Sequence, residues 1–267
     1  MTGLLRAELT KARSTPLLVW TVGLALLLPP LLAALLGGAM GSRESYCARN
    51  SCDNVLAPPD ATVATIGVLG DGIPGGALTV LTAFAAALLL VELRYNTLST
   101  AFLVTSRRTR VAVAKVVLLV AVAVPVVFVA TMASGVVFDR VAGPAAARVS
   151  PFSAASFDVA ARTTSVVVAF ALMAFGIAAL TRHIWVTAAV VVAWPNFLEP
   201  LLPMVLPGGD DVAAYLPFAN ARHFVGIEGG PVTWSPLVSG AYVALLAVVL
   251  LVAGVARLSR VDLPRSP

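Results

Sequence analysis

The residues of this 267-residue chain that could do chemistry are few, and they do not gather. Its two histidines, His183 and His223, fall at opposite faces of the topology derived below, and neither has a cysteine or carboxylate cluster at ligand spacing. Both read as interfacial histidines, and no metal site is expected. Asp210-Asp211 reads as a solvated pair at a turn or helix cap, short of the ligands a metal needs. The run Gly70-Asp71-Gly72-Ile73-Pro74-Gly75-Gly76 is glycine-rich but lacks the lysine and the preceding strand of a phosphate-binding loop, so it reads as a flexible outside loop. No serine is paired with a base. Ionisable groups within apolar runs are functional candidates by default, and three stand out. Lys115 lies one turn into an apolar run, where its stem is expected to snorkel to the headgroups. Glu92 lies at the end of another run beside Arg94, and Glu199 lies between Pro195 and Pro203. No file of Asp, Glu and His crosses the chain, which argues against a proton-coupled carrier. No paired catalytic groups share a depth, which argues against an intramembrane enzyme. No catalytic residues are expected.

The elements that position these residues are membrane helices. The chain is 59% hydrophobic and 12% charged, with a mean hydropathy of +0.95, whereas soluble domains carry about 25% charged residues. The surplus apolar surface requires lipid. A bilayer core of about 30 Å takes ~20 helical residues. Spans are expected at roughly Pro16–Met40, Gly75–Leu93, Val111–Phe138, Thr163–Thr181, Ile184–Leu206 and Pro236–Ala256. The fold class is therefore all-α, a polytopic membrane protein with six transmembrane helices forming one domain, 1–267. The first run is too long for a signal-peptide core and is expected to stay in the mature protein. Pro29-Pro30, Pro125 and Pro195 interrupt spans, which a bundle tolerates when neighbours re-satisfy the freed carbonyls.

Basic residues set the orientation. With the N-terminus inside, Arg6, Lys11, Arg13, Arg94, Arg107, Arg108, Arg110, Lys115, Arg182, Arg257, Arg260 and Arg265 are cytoplasmic, twelve against six outside. That is the direction of the positive-inside rule, and it places both ends in the cytoplasm. The net charge of +5 is spread along span edges rather than collected in a patch, so no nucleic-acid partner is expected. Cys47 and Cys52, the only cysteines, fall in the first outside loop, where the compartment favours a disulfide over two free thiols. Gly37 and Gly41 form a small-xxx-small pattern, read either as a helix contact or as a loop turn. Sixteen arginines against two lysines, with abundant Ala and Val, suggest a GC-rich bacterial genome.

Two cytoplasmic stretches carry more information. In residues 1–15, Leu4, Leu5 and Leu9 share one helical side, with Arg6 and Arg13 opposite. This reads as an amphipathic helix on the inner leaflet, or as a basic topogenic flank. The loop 94–110 places Leu98, Phe102 and Leu103 at helical spacing between polar ends, as a short helix docking into a partner's groove would.

On these features the chain resembles the permease subunits of ABC-2 type exporters. The residues that match the family's Glu-x-Arg…Thr-Leu…Arg-Arg…Lys pattern are Glu92, Arg94, Thr97, Leu98, Arg107, Arg108 and Lys115, while Asn96 and Ser106 depart from the family's usual Gly and Pro. The resemblance implies a coupling helix in the 94–110 loop, seated in a separate ATPase subunit through Leu98, Phe102 and Leu103. It implies a second permease copy or a related permease, and membrane lipid as surroundings. This chain would hold no cofactor, ATP and Mg being bound by the ATPase. It also implies export of a hydrophobic or amphipathic drug, peptide or lipid across a bacterial plasma membrane. Residues 207–235 are expected to form an outside re-entrant hairpin or a proline-rich loop. The alternative is a membrane component that transports nothing, such as an immunity protein or a signalling scaffold.

Overall fold

A computed structural model describes residues 10, 16–50, 67–69, 75–95, 108–143, 150–206, 208–227 and 232–260, without the side chains of 43–50, 108, 210 and 260. The interface-helix residues Leu4, Leu5, Arg6, Leu9 and Arg13 lie outside these, as do Thr97, Leu98, Phe102, Leu103 and Arg107 of the loop, and Cys52. The side chains of Cys47 and Arg108 also lie outside them.

The described residues are helical, with no strand among them. In chain order the helices are α1 (Pro16–Asn50), α2 (Gly76–Arg94), α3 (Arg108–Ala142) and α4 (Ala154–Thr181). A fifth span follows in three pieces: α5 (Ile184–Ala188), a π-helical segment (Ala189–Leu198) and α6 (Glu199–Val205). Then come two short helices, α7 (Gly209–Ala213) and α8 (Pro217–Val225), and the last span α9 (Pro236–Arg260). Six of the described helical stretches are long and apolar enough to cross a membrane. This is the build of a multi-pass membrane protein.

Several helices outrun the spans expected from hydropathy. α1 continues past Met40 to Asn50, since no proline interrupts Gly41 to Asn50 and a helix leaving lipid need not stop there. α4 begins nine residues before Thr163 because Ser153 caps it, its Oγ accepting the Ser156 N–H at 3.1 Å. An Asp158–Arg162 pair at 2.8 Å supports that first stretch. Residues 70–74 of the glycine-rich run lie outside the described residues; Gly75 and Gly76 are buried at the start of α2, and just before the run Val68 and Leu69 are fully buried beside Ala25 and Leu78, with Gly67 against the Pro29 carbonyl.

α4 and α2 are the interior helices, buried over 67% and 61% of their most apolar windows, against 17% for the fifth span. At two crossings glycine lies against a neighbouring helix backbone. On α4 and α9, a methyl group on Gly254 would come within 2.6 Å of the Gly176 carbonyl oxygen, and one on Gly176 would strike the Leu250 carbonyl. On α1 and α3, a methyl on Gly41 would meet the Ala142 oxygen at 3.1 Å, and Gly37 also faces Ala142. The small-xxx-small pattern is thus a helix contact. Several buried hydroxyls return to their own helices: Thr82 to the Leu78 carbonyl at 2.7 Å, Thr131 to Val127 at 2.9 Å, and Ser134 to Ala130 at 2.8 Å.

Candidate functional site

The spans leave a cavity of about 280 Å³ between α2, α4, the π-helical segment and α9. Its wall is apolar: Phe170 and Met173 from α4, Trp194 and Pro195 from the π-helical segment, Leu246 and Leu250 from α9. Pro195 accounts for the local backbone. It has no N–H to give the preceding turn, and a wider helix with i→i+5 bonding accommodates the interruption. Asn196 supports that turn, its side-chain amide donating to the Val192 carbonyl at 2.7 Å.

α8 roofs the cavity. Pro217 lies in the cavity wall, and Phe218 meets Phe170 edge-on at 6.1 Å between ring centroids. Leu216, at the N-cap of α8, has no side chain able to cap, and Glu199 of α6 supplies the cap instead. One Glu199 oxygen accepts the Ala219 N–H at 2.8 Å and the other accepts the Trp194 indole N–H at 2.9 Å. Glu199 is 3% exposed, so its oxygens must find partners within the protein, and these two N–H groups supply them. One carboxylate therefore joins the π-helical segment to the roof. The far side of α8 is held by Asn220, fully buried, which donates to the Ala214 and Leu216 carbonyls at 2.9 Å and accepts the Trp234 indole N–H at 2.6 Å. Arg162 donates to the Phe224 carbonyl at 3.3 Å and lies 5.7 Å from that ring's centre.

At the other end of the bundle, where α2 ends and α3 begins, Lys115 does not snorkel. It is 1% exposed, and its ammonium donates to the Glu92 carboxylate at 2.7 Å. Residues 92 and 115 come level because α2 and α3 run antiparallel on either side of the loop. Both side chains then turn into the bundle, where each charge must find the other. Of the remaining loop residues, Arg94 is exposed at the end of α2 and Tyr95 caps it. The structure thus brings Glu92 and Lys115 together and leaves Arg94 at the surface.

Sequence reasoning did not pair Glu92 with Lys115, although opposite charges near the two ends of one antiparallel loop were a usable signal. It also missed the cavity and the capping role of Glu199, which depend on packing between elements distant in the chain. Among the described residues no cluster of three His, Cys, Asp or Glu could hold a metal ion. Comparison of the chain with protein-family models, with curated proteins and with solved structures returns no match.

Proposed function

We propose that this chain is the membrane-spanning subunit of an ATP-binding-cassette exporter, with both ends in the cytoplasm of a bacterium and ATP hydrolysed by a separate subunit. The observation that carries the reading is the Glu92–Lys115 pair, buried at the two stems of the loop 94–110. A simple connector has no need of a desolvated ion pair beneath it. A handle that transmits force does, because its stems must move as one body with the spans. The apolar loop residues Leu98, Phe102 and Leu103 would seat in the ATPase, with Arg94, Arg107 and Arg108 near acidic groups or headgroups.

The roofed cavity supports an apolar or amphipathic substrate. Its volume of about 280 Å³ is at the lower edge of small-molecule sites, which run about 300–1,000 Å³. It would accept an acyl segment or a ring system rather than a whole drug or peptide, so the substrate would extend from it or the fifth span would give way.

Phe102→Asp tests the reading. The chain is purified with its native partners, and capture of a nucleotide-hydrolysing subunit and its ATPase rate are measured. The expected result is loss of the subunit, or loss of the chain's effect on hydrolysis, with the chain itself still folded. Retention of both refutes the handle. Absence of any nucleotide-hydrolysing partner from the wild-type complex favours the non-transporting alternative.

A further inference from the structure

The turn between the fourth and fifth spans carries a feature that neither the cavity nor the loop explains. Arg182 caps α4 in the left-handed region, at φ 55° and ψ 16°, and is the one non-glycine residue with positive φ among the described residues. Glycine is the residue that enters this region without steric penalty, so an arginine here is retained against the backbone's preference. The turn is otherwise tightly built. Arg182 N–H donates to the Ala178 carbonyl at 3.0 Å, the Thr181 and Thr187 hydroxyls meet at 2.7 Å, and the fully buried Thr187 donates to the His183 carbonyl at 2.9 Å.

The side chain of Arg182 has a like-charged neighbour. α4 and α9 run in the same direction and touch where Gly254 lies against Gly176 and Ala179. Three residues beyond Ala179 stands Arg182, just past the end of α4, and three beyond Gly254 stands Arg257, so both lie about one turn past the crossing, near enough for the two charges to act on each other. Burial, and then the Arg257 charge, push Arg182 below the usual arginine value. Its Nε is buried with no hydrogen-bond acceptor. Neither arginine forms an ion pair among the described residues, and the one described carboxylate at this end, Glu92, is engaged by Lys115. Among the described residues, these two neighbouring cations and the enclosed donor have no anion. Beside them in sequence, Ile184 and Trp185 are exposed, an apolar and indole-bearing edge suited to the boundary between acyl chains and headgroups.

We propose that Arg182 and Arg257 form a binding site for the phosphate of an anionic phospholipid, whose acyl chains lie along the start of the fifth span. Guanidinium groups bind phosphate oxygens through paired N–H donors, and the lipid supplies a counter-charge that the described residues do not. The inference does not depend on the exporter reading.

The test is native mass spectrometry of the full chain released from micelles holding equal amounts of phosphatidylglycerol and phosphatidylcholine. Each basic side chain near an anionic lipid is worth roughly a fivefold preference, so the first bound lipid should be phosphatidylglycerol by about thirtyfold. In R182Q/R257Q the preference should fall to near unity, while R182K/R257K, which keeps the charges, should retain part of it and serve as the folding control. No preference in the wild type, or a preference unchanged in R182Q/R257Q, overturns the proposal. Inorganic phosphate is added against chloride at matched ionic strength to separate the sources. Displacement of the lipid by phosphate alone would refute the lipid as the native source of the anion.

Discussion

Removing the Lys115 ammonium alone should be among the most damaging single changes in the bundle. Lys115 and Glu92 side chains are 1% and 6% exposed and 2.7 Å apart, so Lys115→Met takes the ammonium from a buried carboxylate. Breaking a buried pair from one side costs about 3–5 kcal/mol. Glu92→Leu leaves the ammonium in the same position and should cost a similar amount. Replacing both residues with apolar ones of like volume removes two desolvated charges together, and such replacements run from neutral to stabilising by about 1–4 kcal/mol. The double variant E92L/K115M should therefore be far more stable than either single variant, with a coupling energy of roughly 3 kcal/mol or more. The assay is unfolding of the purified chain in mixed micelles by titration with a denaturing detergent, followed by tryptophan fluorescence. A Lys115→Met cost below about 1 kcal/mol, the level of exposed pairs, would show an ammonium that reaches water. Strictly additive single effects would show the same, and the rigid-stem argument would fall with either result. The exporter reading adds a second readout. E92L/K115M should fold yet transmit ATPase activity poorly, because apolar packing alone does not fix the register of the two stems as a 2.7 Å ion pair does.

Glu199→Gln keeps the side chain's shape but offers one oxygen to two N–H donors, those of Trp194 and Ala219. It should destabilise by about 1–3 kcal/mol, read by the same titration, and a neutral result would mean that α8 holds its place without this cap. Gly176→Ala should cost more than Gly41→Ala: its methyl would strike the Leu250 backbone, whereas on Gly41 the nearest atom, the Ala142 oxygen, is at 3.1 Å. Overpacking of the first kind costs about 1–3 kcal/mol, and equal effects at both glycines would contradict the crossing geometry. Arg182→Gly should stabilise the chain by about 1 kcal/mol in lipid-free detergent by relieving the left-handed residue. A loss of stability there would assign the arginine a structural partner instead.

What could be read in the sequence divides by the physics involved. The six spans follow from apolar run length, and the turn at Arg182-His183 follows from the shortage of residues between two of them. Span ends did not follow, because hydropathy marks where lipid ends, whereas α4 begins at its Ser153 cap and α1 runs on past Met40. Lys115 was misread for a related reason. Its depth was legible, but whether it points to headgroups or inward depends on its rotational position beside Glu92. Pro195 was visible as an interruption. Its outcome as a π-helical segment rests on Asn196 bonding back to Val192, and on Trp194 reaching Glu199. The Gly176–Gly254 crossing has no small-xxx-small signature, since α9 contributes Gly254 alone and α4 contributes Gly176 and Ala179, three residues apart.

The arrangement also says where movement would be cheapest. α4 is gripped by α9 through backbone contact at Gly176 and Gly254, and by α2 through the cluster of Phe84, Leu89, Ala171 and Phe175. The fifth span has no comparable hold. Only 17% of its most apolar window is buried, and its long middle is a π-helical segment, whose i→i+5 bonding shifts the register by one residue if it converts to α-helix. Such a conversion turns everything beyond it by about 100°, the angle between successive helical residues. Trp194 would leave the cavity wall, and Glu199 would leave the N-terminus of α8. The roof and the wall are therefore released by one event, because a single carboxylate fastens both. A substrate larger than about 280 Å³ needs such an opening, and the fifth span is the element whose displacement disrupts the least packing.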